Sequence, residues 1–403
     1  MANIMSEKEG CVVSISHWDT LRIHAISCVI GSWVVFRRLV RSLWSPLNLN
    51  LQDREKPPQC LVDSSLGQHS YIKVKGAKLH YVEAGSRSKP MLLLLHGFPD
   101  CWLTWRYQIP ALVKHFRVVA LDLKGFGDSD KPAWRRSYRV DTLLAELKEL
   151  ITALGTSSCT VVAHDLGALL CWYLAHQYPD IVEKFVCISC PHPNVYWSTV
   201  PRESVFNSSW ISFSQLPYLP ETEALRNGLS IINQRYPHLQ KKSDADDYLV
   251  ANKYAFSRKE DWTGAINYFR NLPFQRISPV CEPVKAPCMF ITGNRDPCLT
   301  LESIVTSTEF TEKFLVKIVN ETGHYPHQEK PEVVNKMIIS FLNVNESPEK
   351  VDKPVQKGLM DRMFGAVAST VKYGNQMFDV VQKTSNIVPG LQRKSSVLGQ
   401  SAS

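Results

Sequence analysis

The eleven cysteines of this 403-residue chain, an odd number, lack the repeated short paired spacings of a zinc site or of a secreted disulfide scaffold. Their scatter predicts that most are reduced, buried thiols in a body facing a reducing compartment. Charge of one sign is scarce where it would matter. The formal net charge is +8, but residues 1–60 carry 7 basic and 5 acidic side chains and residues 351–403 carry 7 and 3, so only +2 is left for residues 61–350. A near-neutral body has no footprint for a phosphate backbone, so nucleic acid is not expected as a partner. With only 19 Gly, 24 Pro and a hydrophobic share of 44%, the chain is neither collagenous, disordered nor a coiled coil, and no internal repeat is visible.

A long hydrophobic run is also missing near the start. Ala25 to Phe36 is apolar apart from Ser27, Gly31 and Ser32, and Arg37, Arg38 and Arg41 follow at once. A spanning helix needs about 20 mostly apolar residues, more than this stretch offers without including charges. Leu39, Val40, Leu43 and Trp44 continue the apolar character between the arginines. The segment near 21–44 therefore reads as a membrane anchor, spanning or interfacial, within an N-terminal region 1–60, with a helix packed on the body as the alternative. If it spans, the arginines hold the body on the cytoplasmic face of an endomembrane. Acceptor triplets at Asn207, Asn320 and Asn345 would be glycosylated only in a lumen. Beyond residue 346, Met360, Met363, Phe364, Val367, Val371, Phe378 and Val381 recur at helical spacing, which predicts an amphipathic helix, docked or interfacial, ahead of a basic disordered tail ending at 403.

Between the flanks, short apolar runs alternate with longer helical stretches, the signature of βαβ units and a mostly parallel sheet with helices on both faces. Candidate strands are 79–83, 91–96, 117–121, 160–164, 185–189, 288–292 and 314–319, most of them apolar throughout, as a sheet covered on both sides requires. The rhythm breaks over 193–271, rich in aromatics, Pro and polar residues, which reads as a helical lid inserted between core halves 71–192 and 272–345.

The chemistry concentrates at four places. Val161-Val162-Ala163-His164-Asp165-Leu166-Gly167-Ala168 is an apolar strand running into a helix through small-x-acid-x-small, the pattern of a nucleophile elbow with Asp165 at its tip. His96-Gly97-Phe98-Pro99 follows another strand, where one oxyanion-hole N–H is supplied; Leu166 would supply the second. Asp296 follows the strand at 288–292, and His324, in Gly323-His324, follows the one at 314–319. The chain order nucleophile, acid, histidine belongs to one convergent form of the catalytic triad. His164, His192 and His327 read as packing or supporting groups.

Residues from about Tyr71 to Leu342 resemble the α/β-hydrolase superfamily, and specifically its epoxide hydrolase branch. The resemblance rests on His96-Gly97-Phe98-Pro99, Gly125-Phe126-Gly127-Asp128-Ser129-Asp130, His164-Asp165-x-Gly167, Asp296 and Gly323-His324. With its apolar anchor, the chain is similar to the membrane-associated epoxide hydrolases of animals. The resemblance implies a small lipophilic epoxide substrate opened to a diol through an ester on Asp165, with Asp296 and His324 activating water, and no cofactor or metal. It also implies two lid tyrosines that donate to the epoxide oxygen. Aligned by hand, those places hold Trp210 and Phe269, leaving Trp210, Tyr218, Tyr254 and Tyr268 as candidate donors. The same triad would also serve carbon–halogen hydrolysis, and loss of the donors would leave a membrane-associated binding protein.

Overall fold

The computed structural model describes residues 10–44, 56–198, 208–225, 229–236, 238–239 and 245–342. The amphipathic helix and tail expected beyond 346, together with Asn207 and Asn345, lie outside the described residues.

An eight-stranded sheet forms the centre. In chain order its strands are β2 (Gln68–Val74), β3 (Ala77–Ala84), β4 (Met91–Leu95), β5 (Arg117–Leu121), β6 (Cys159–His164), β7 (Val182–Ile188), β9 (Cys288–Gly293) and β10 (Phe314–Val319), with spatial order β10-β9-β7-β6-β4-β5-β3-β2. β2 and β3 pair antiparallel, as do β3 and β5, and every other pairing is parallel. β4, β5 and β6 are buried at every position, which explains why β4 is wholly apolar and why β5 and β6 are apolar apart from Arg117, Thr160 and His164. The seven expected strands are present with ends shifted by three residues at most. β2 was not foreseen: it is a half-exposed edge whose Gln68-His69-Ser70-Tyr71-Ile72-Lys73-Val74 sequence lacks such a run.

The covering helices are α2 (Gln59–Val62), α3 (Ile109–Leu112), α4 (Val140–Ala153), α5 (Leu166–Gln177), α12 (Leu301–Ser307), α13 (Pro326–Glu329) and α14 (Pro331–Phe341). Between β7 and β9 the described residues form six helices: α6 (Pro193–Ser198), α7 (Ser208–Ser214), α8 (Leu219–Ala224), α9 (Ser230–Arg235), α10 (Ala245–Ala255) and α11 (Lys259–Phe269). We treat this insertion as the lid.

The N-terminal region is built into the body. A short strand β1 (Val12–Ser14) pairs antiparallel with β8 (Gln275–Ile277), and Cys11 forms a disulfide with Cys281, Cα atoms 5.8 Å apart. The other nine cysteines are free thiols, most of them buried. The scatter of cysteines gave no sign of this pair, whose partners are 270 residues apart. Directly after β1 comes α1 (His17–Trp44), 28 residues or about 42 Å long. Its 17–37 stretch is long and apolar enough to cross a membrane by length and composition. Yet α1 packs on α7: Ser27 is buried, and a Cβ at Gly31 would come within 2.7 Å of the Leu216 side chain. His24 stacks on Phe274, ring centroids 5.4 Å apart. The outer face exposes Trp18, Leu21, Val29, Trp33, Phe36 and Leu39.

Candidate active site

The parallel strands end at one edge of the sheet, and the loops leaving that edge carry the residues of interest, the usual place for a site in an open α/β sheet. At the end of β6 the chain turns directly into α5 through Asp165, whose φ of 50° and ψ of −116° lie outside the ordinary regions for a residue with a side chain. Such a conformation costs roughly 1–3 kcal/mol and persists only where the surroundings impose it. Here β6 and α5 are both fixed in the core, and a glycine two positions on lets the start of α5 pass close to the end of β4: a Cβ at Gly167 would lie 2.5 Å from the carbonyl oxygen of Leu95 and 2.6 Å from that of His96. The turn projects the carboxylate of Asp165 toward the loop after β4.

That loop presents its backbone to the carboxylate. The Phe98 N–H donates to Asp165 Oδ1 at 3.0 Å and the Leu166 N–H to the same oxygen at 2.7 Å. His96 fixes the loop, with Nδ1 2.8 Å from the Gly97 carbonyl and Nε2 accepting from the Leu123 N–H at 3.1 Å. Behind it, Asp122 accepts from the Trp102 and Asp128 amides and contacts His80 at 2.7 Å. These contacts outweigh the effect of burial and hold Asp122 down at about 2. Gly127, at φ 46°, has no room for a side chain against the Asp122 carboxylate, which accounts structurally for the Gly125-to-Asp130 motif.

The second oxygen, Oδ2, faces His324, whose Nε2 lies 3.0 Å away. The other ring nitrogen, Nδ1, lies 3.0 and 3.2 Å from the two oxygens of Asp296. Asp296 is fixed in turn by the Cys298 N–H at 2.9 Å. The structure therefore brings Asp165, Asp296 and His324 into one buried line, with Phe98 and Leu166 on the other oxygen of Asp165.

The electrostatics follow from that line. Burial alone would raise the pKa of Asp165, but the His324 hydrogen bond and the Arg235 charge hold it well below the ordinary carboxylate range. Asp296, also penalised by burial, is held down by His324. Burial disfavours the imidazolium, yet the two carboxylates, Asp296 foremost, raise His324 well above its ordinary value. The two carboxylates thus favour the imidazolium form of His324 between them. Asp296, Cys298 and His324 offer metal-ligand atoms within 4.8 Å of one another, but both His324 nitrogens already face carboxylates, and we read the cluster as an acid–base pair.

The other histidines are supports. His164, pushed down to about 3 by burial, lies with Nε2 2.9 Å from the His324 carbonyl oxygen. His192 stacks on Phe310 with centroids 3.6 Å apart, and His327 contacts the Thr104 hydroxyl at 3.0 Å.

The lid tyrosines do not converge on Asp165. Tyr218 is 71% exposed and lies under the Lys259 ammonium. Tyr254 lines a separate small cavity with Trp102 and Asp128. Tyr268 is buried, but its hydroxyl donates to the Lys124 carbonyl at 2.8 Å. Of these three candidate donors, one therefore faces solvent, one a separate cavity and one a backbone carbonyl. Trp210 and Phe269 do stand near the site, with ring centroids 6.3 and 4.9 Å from that of Phe98.

One side chain reaches Asp165 unannounced by any sequence motif. Arg235, at the end of α9, is buried, and its Nη2 lies 3.2 Å from Asp165 Oδ2. Nothing in Gln234-Arg235-Tyr236-Pro237 marks it; only the fold of the lid brings it here.

Comparison with known proteins identifies the family and the fold. The sequence matches the profile of the alpha/beta hydrolase fold family over residues 90–331. It is 36% identical over 300 residues to human epoxide hydrolase 4, covering 72% of this chain and 83% of the relative. It is 33% identical to epoxide hydrolase 3 of Xenopus tropicalis, covering 72% and 82%. Among solved structures, epoxide hydrolase A from Mycobacterium thermoresistibile superposes with a TM-score of 0.59 at 27% identity, over 69% of this chain and 99% of that one. A mutant epoxide hydrolase of Bacillus megaterium, complexed with its diol product, gives 0.60 at 31% identity, over 68% and 100%.

Proposed function

This chain belongs to the α/β-hydrolase family and is an enzyme of its epoxide hydrolase type, and from that premise we propose that it opens small lipophilic epoxides to diols through a covalent ester on Asp165. The observation that carries the proposal is the division of labour between the two oxygens of Asp165. Oδ1 sits between the Phe98 and Leu166 amides and becomes the ester carbonyl; Oδ2 is the attacking atom. The carboxylate is held ionised and needs no base to activate it. Attack on a ring carbon forms the C–Oδ2 bond and breaks a ring C–O bond. Asp165 thereby loses its charge, which removes one of the two carboxylates that hold the proton on His324. The imidazole can then give that proton to the freed alkoxide oxygen and take another from water, with Asp296 still orienting it. Hydroxide attacks Cγ of the ester, the tetrahedral charge falls on Oδ1 between the two amides, and collapse releases the diol.

The test uses a His324→Gln variant exposed to a lipophilic epoxide and followed by intact mass. A stable increase of one substrate mass, mapped to Asp165, is expected. Wild-type turnover without an adduct in that variant would refute the assignment.

We further propose that α1 holds the enzyme on a membrane without crossing it. β1, the disulfide and the contacts of His24 and Gly31 tie the first half of the helix to the body, while its outer face stays apolar and Arg22 and Arg37 can reach the headgroups. An orientation rule for spanning helices then no longer applies. The disulfide instead favours an oxidising compartment, so we place the body on a lumenal or outer face, against the cytoplasmic placement expected from the sequence.

A further inference from the structure

Opening an epoxide leaves an electron pair and a negative charge on the ring oxygen, and a hydrogen-bond donor has to be found for it. Tyr218, Tyr254 and Tyr268 are turned elsewhere. Among the described residues the cation touching the reacting carboxylate, apart from His324, is Arg235. Its side chain is 7% exposed, its Nη2 is 3.2 Å from Oδ2, and its guanidinium carbon lies 5.5 Å from the Tyr325 ring centre. Its Nε is buried without a hydrogen-bond partner among the described residues.

As a purely structural pair this contact is poorly placed. Asp165 already receives two amides and His324, so it would remain satisfied without Arg235. Burying a guanidinium carries a desolvation penalty that an apolar residue would avoid. A cation on the attacking oxygen also reduces its nucleophilicity. The arrangement makes chemical sense if the guanidinium changes partners during the reaction. Before attack the negative charge is on Oδ2; after attack Asp165 is a neutral ester and the charge is on the former ring oxygen. A fixed cation at the rim of Oδ2, carried by the lid, meets the charge in both states, and its fork of N–H groups includes one with no partner at rest.

We propose that Arg235 is the catalytic donor to the epoxide oxygen. This rests on Asp165 being the nucleophile. The Oδ2 lone pair forms the new C–O bond, the ring C–O pair moves to oxygen, and the alkoxide is held by Arg235 until it takes the proton that His324 releases, directly or through water. Arg235 itself gives up no proton.

The two half-reactions separate the proposal from a structural role. In the His324→Gln background, adduct formation is timed by intact mass with epoxyhexane and with bromohexane, each with Arg235 intact or changed to Met or Lys. We expect Arg235→Met to slow adduct formation from the epoxide by about 10²- to 10³-fold, the range for losing one donor to developing charge. The bromide, whose leaving ion needs little help, should lose far less, and Arg235→Lys should recover part of the epoxide rate. With His324 present, Arg235→Met should slow hydrolysis of the ester far less than it slows ester formation. An equal loss over both half-reactions, an equal loss for both electrophiles, or no loss would overturn the role. The Lys variant and a thermal melt guard against misfolding being mistaken for it. Absence of any adduct with Arg235 intact would instead remove the nucleophile assignment, and this proposal with it.

Discussion

Replacing Asp296 by Asn removes a charge and almost no volume, and the structure says which step should suffer. The Nδ1 of His324 lies 3.0 and 3.2 Å from the Asp296 oxygens, and Asp296 is the chief reason that the His324 pKa is raised. A charge-assisted hydrogen bond contributes about 1.5–3 kcal/mol and a neutral one about 0.5–1.5, so the imidazolium loses about 1–2 kcal/mol of support. At 1.36 kcal/mol per unit that lowers the His324 pKa by about one unit. Hydrolysis of the ester needs neutral imidazole, so its rate rises as pH climbs through that pKa; with the pKa lowered, the rising limb moves to lower pH. The plateau should fall as well, because the amide fixes the imidazole less well and stabilises its charged form less. Formation of the ester does not use His324 as a base and should change little. Single-turnover mass spectrometry across a pH series measures both steps. Expected are an ester that accumulates in Asp296→Asn, where the parent shows none, and a rising limb displaced toward acid by about one unit. A slower enzyme with no accumulated ester, or an unmoved limb, would refute the reasoning.

Two further outcomes test the N-terminal region. Changing Val29 and Trp33 to Glu places charges on the exposed face of α1, away from the contacts at Ser27 and Gly31, and should abolish flotation with anionic vesicles while leaving the melting temperature within about 2 °C of the parent. Flotation that survives would refute interfacial attachment. If the body occupies an oxidising compartment, Asn320, exposed after β10, should carry a glycan removable by an N-glycosidase in protein from animal cells, and Cys11→Ser should lower stability by roughly 2–5 kcal/mol in a denaturant titration. An unmodified Asn320 together with no effect of Cys11→Ser would return the body to a reducing compartment.

What was legible in the sequence is what backbone geometry demands locally. β4, β5 and β6 are buried on both faces, so each is written as an apolar run, and the elbow needs small residues around Asp165 whatever surrounds it. Positions that depend on the global fold were not legible. Tyr268 and Phe269 are neighbours, yet one hydroxyl is committed to Lys124 while the other ring faces Phe98, a difference set by helix rotation in the packed lid. Arg235 and Cys281 acquire their meaning only when residues 70 and 270 positions away arrive beside them.

The strand before α1 has a practical side. A membrane-attached enzyme is often made soluble by cutting the chain after its apolar segment. Here that cut would remove the partner of β8, orphan the Cys281 thiol and strip the α7 and Leu216 surface of its cover. The shortened protein would gain a sticky flank and a free sulfhydryl in exchange for a lost membrane helix, so charging the outer face of an intact α1 is the better route to a soluble enzyme for assay and crystallisation.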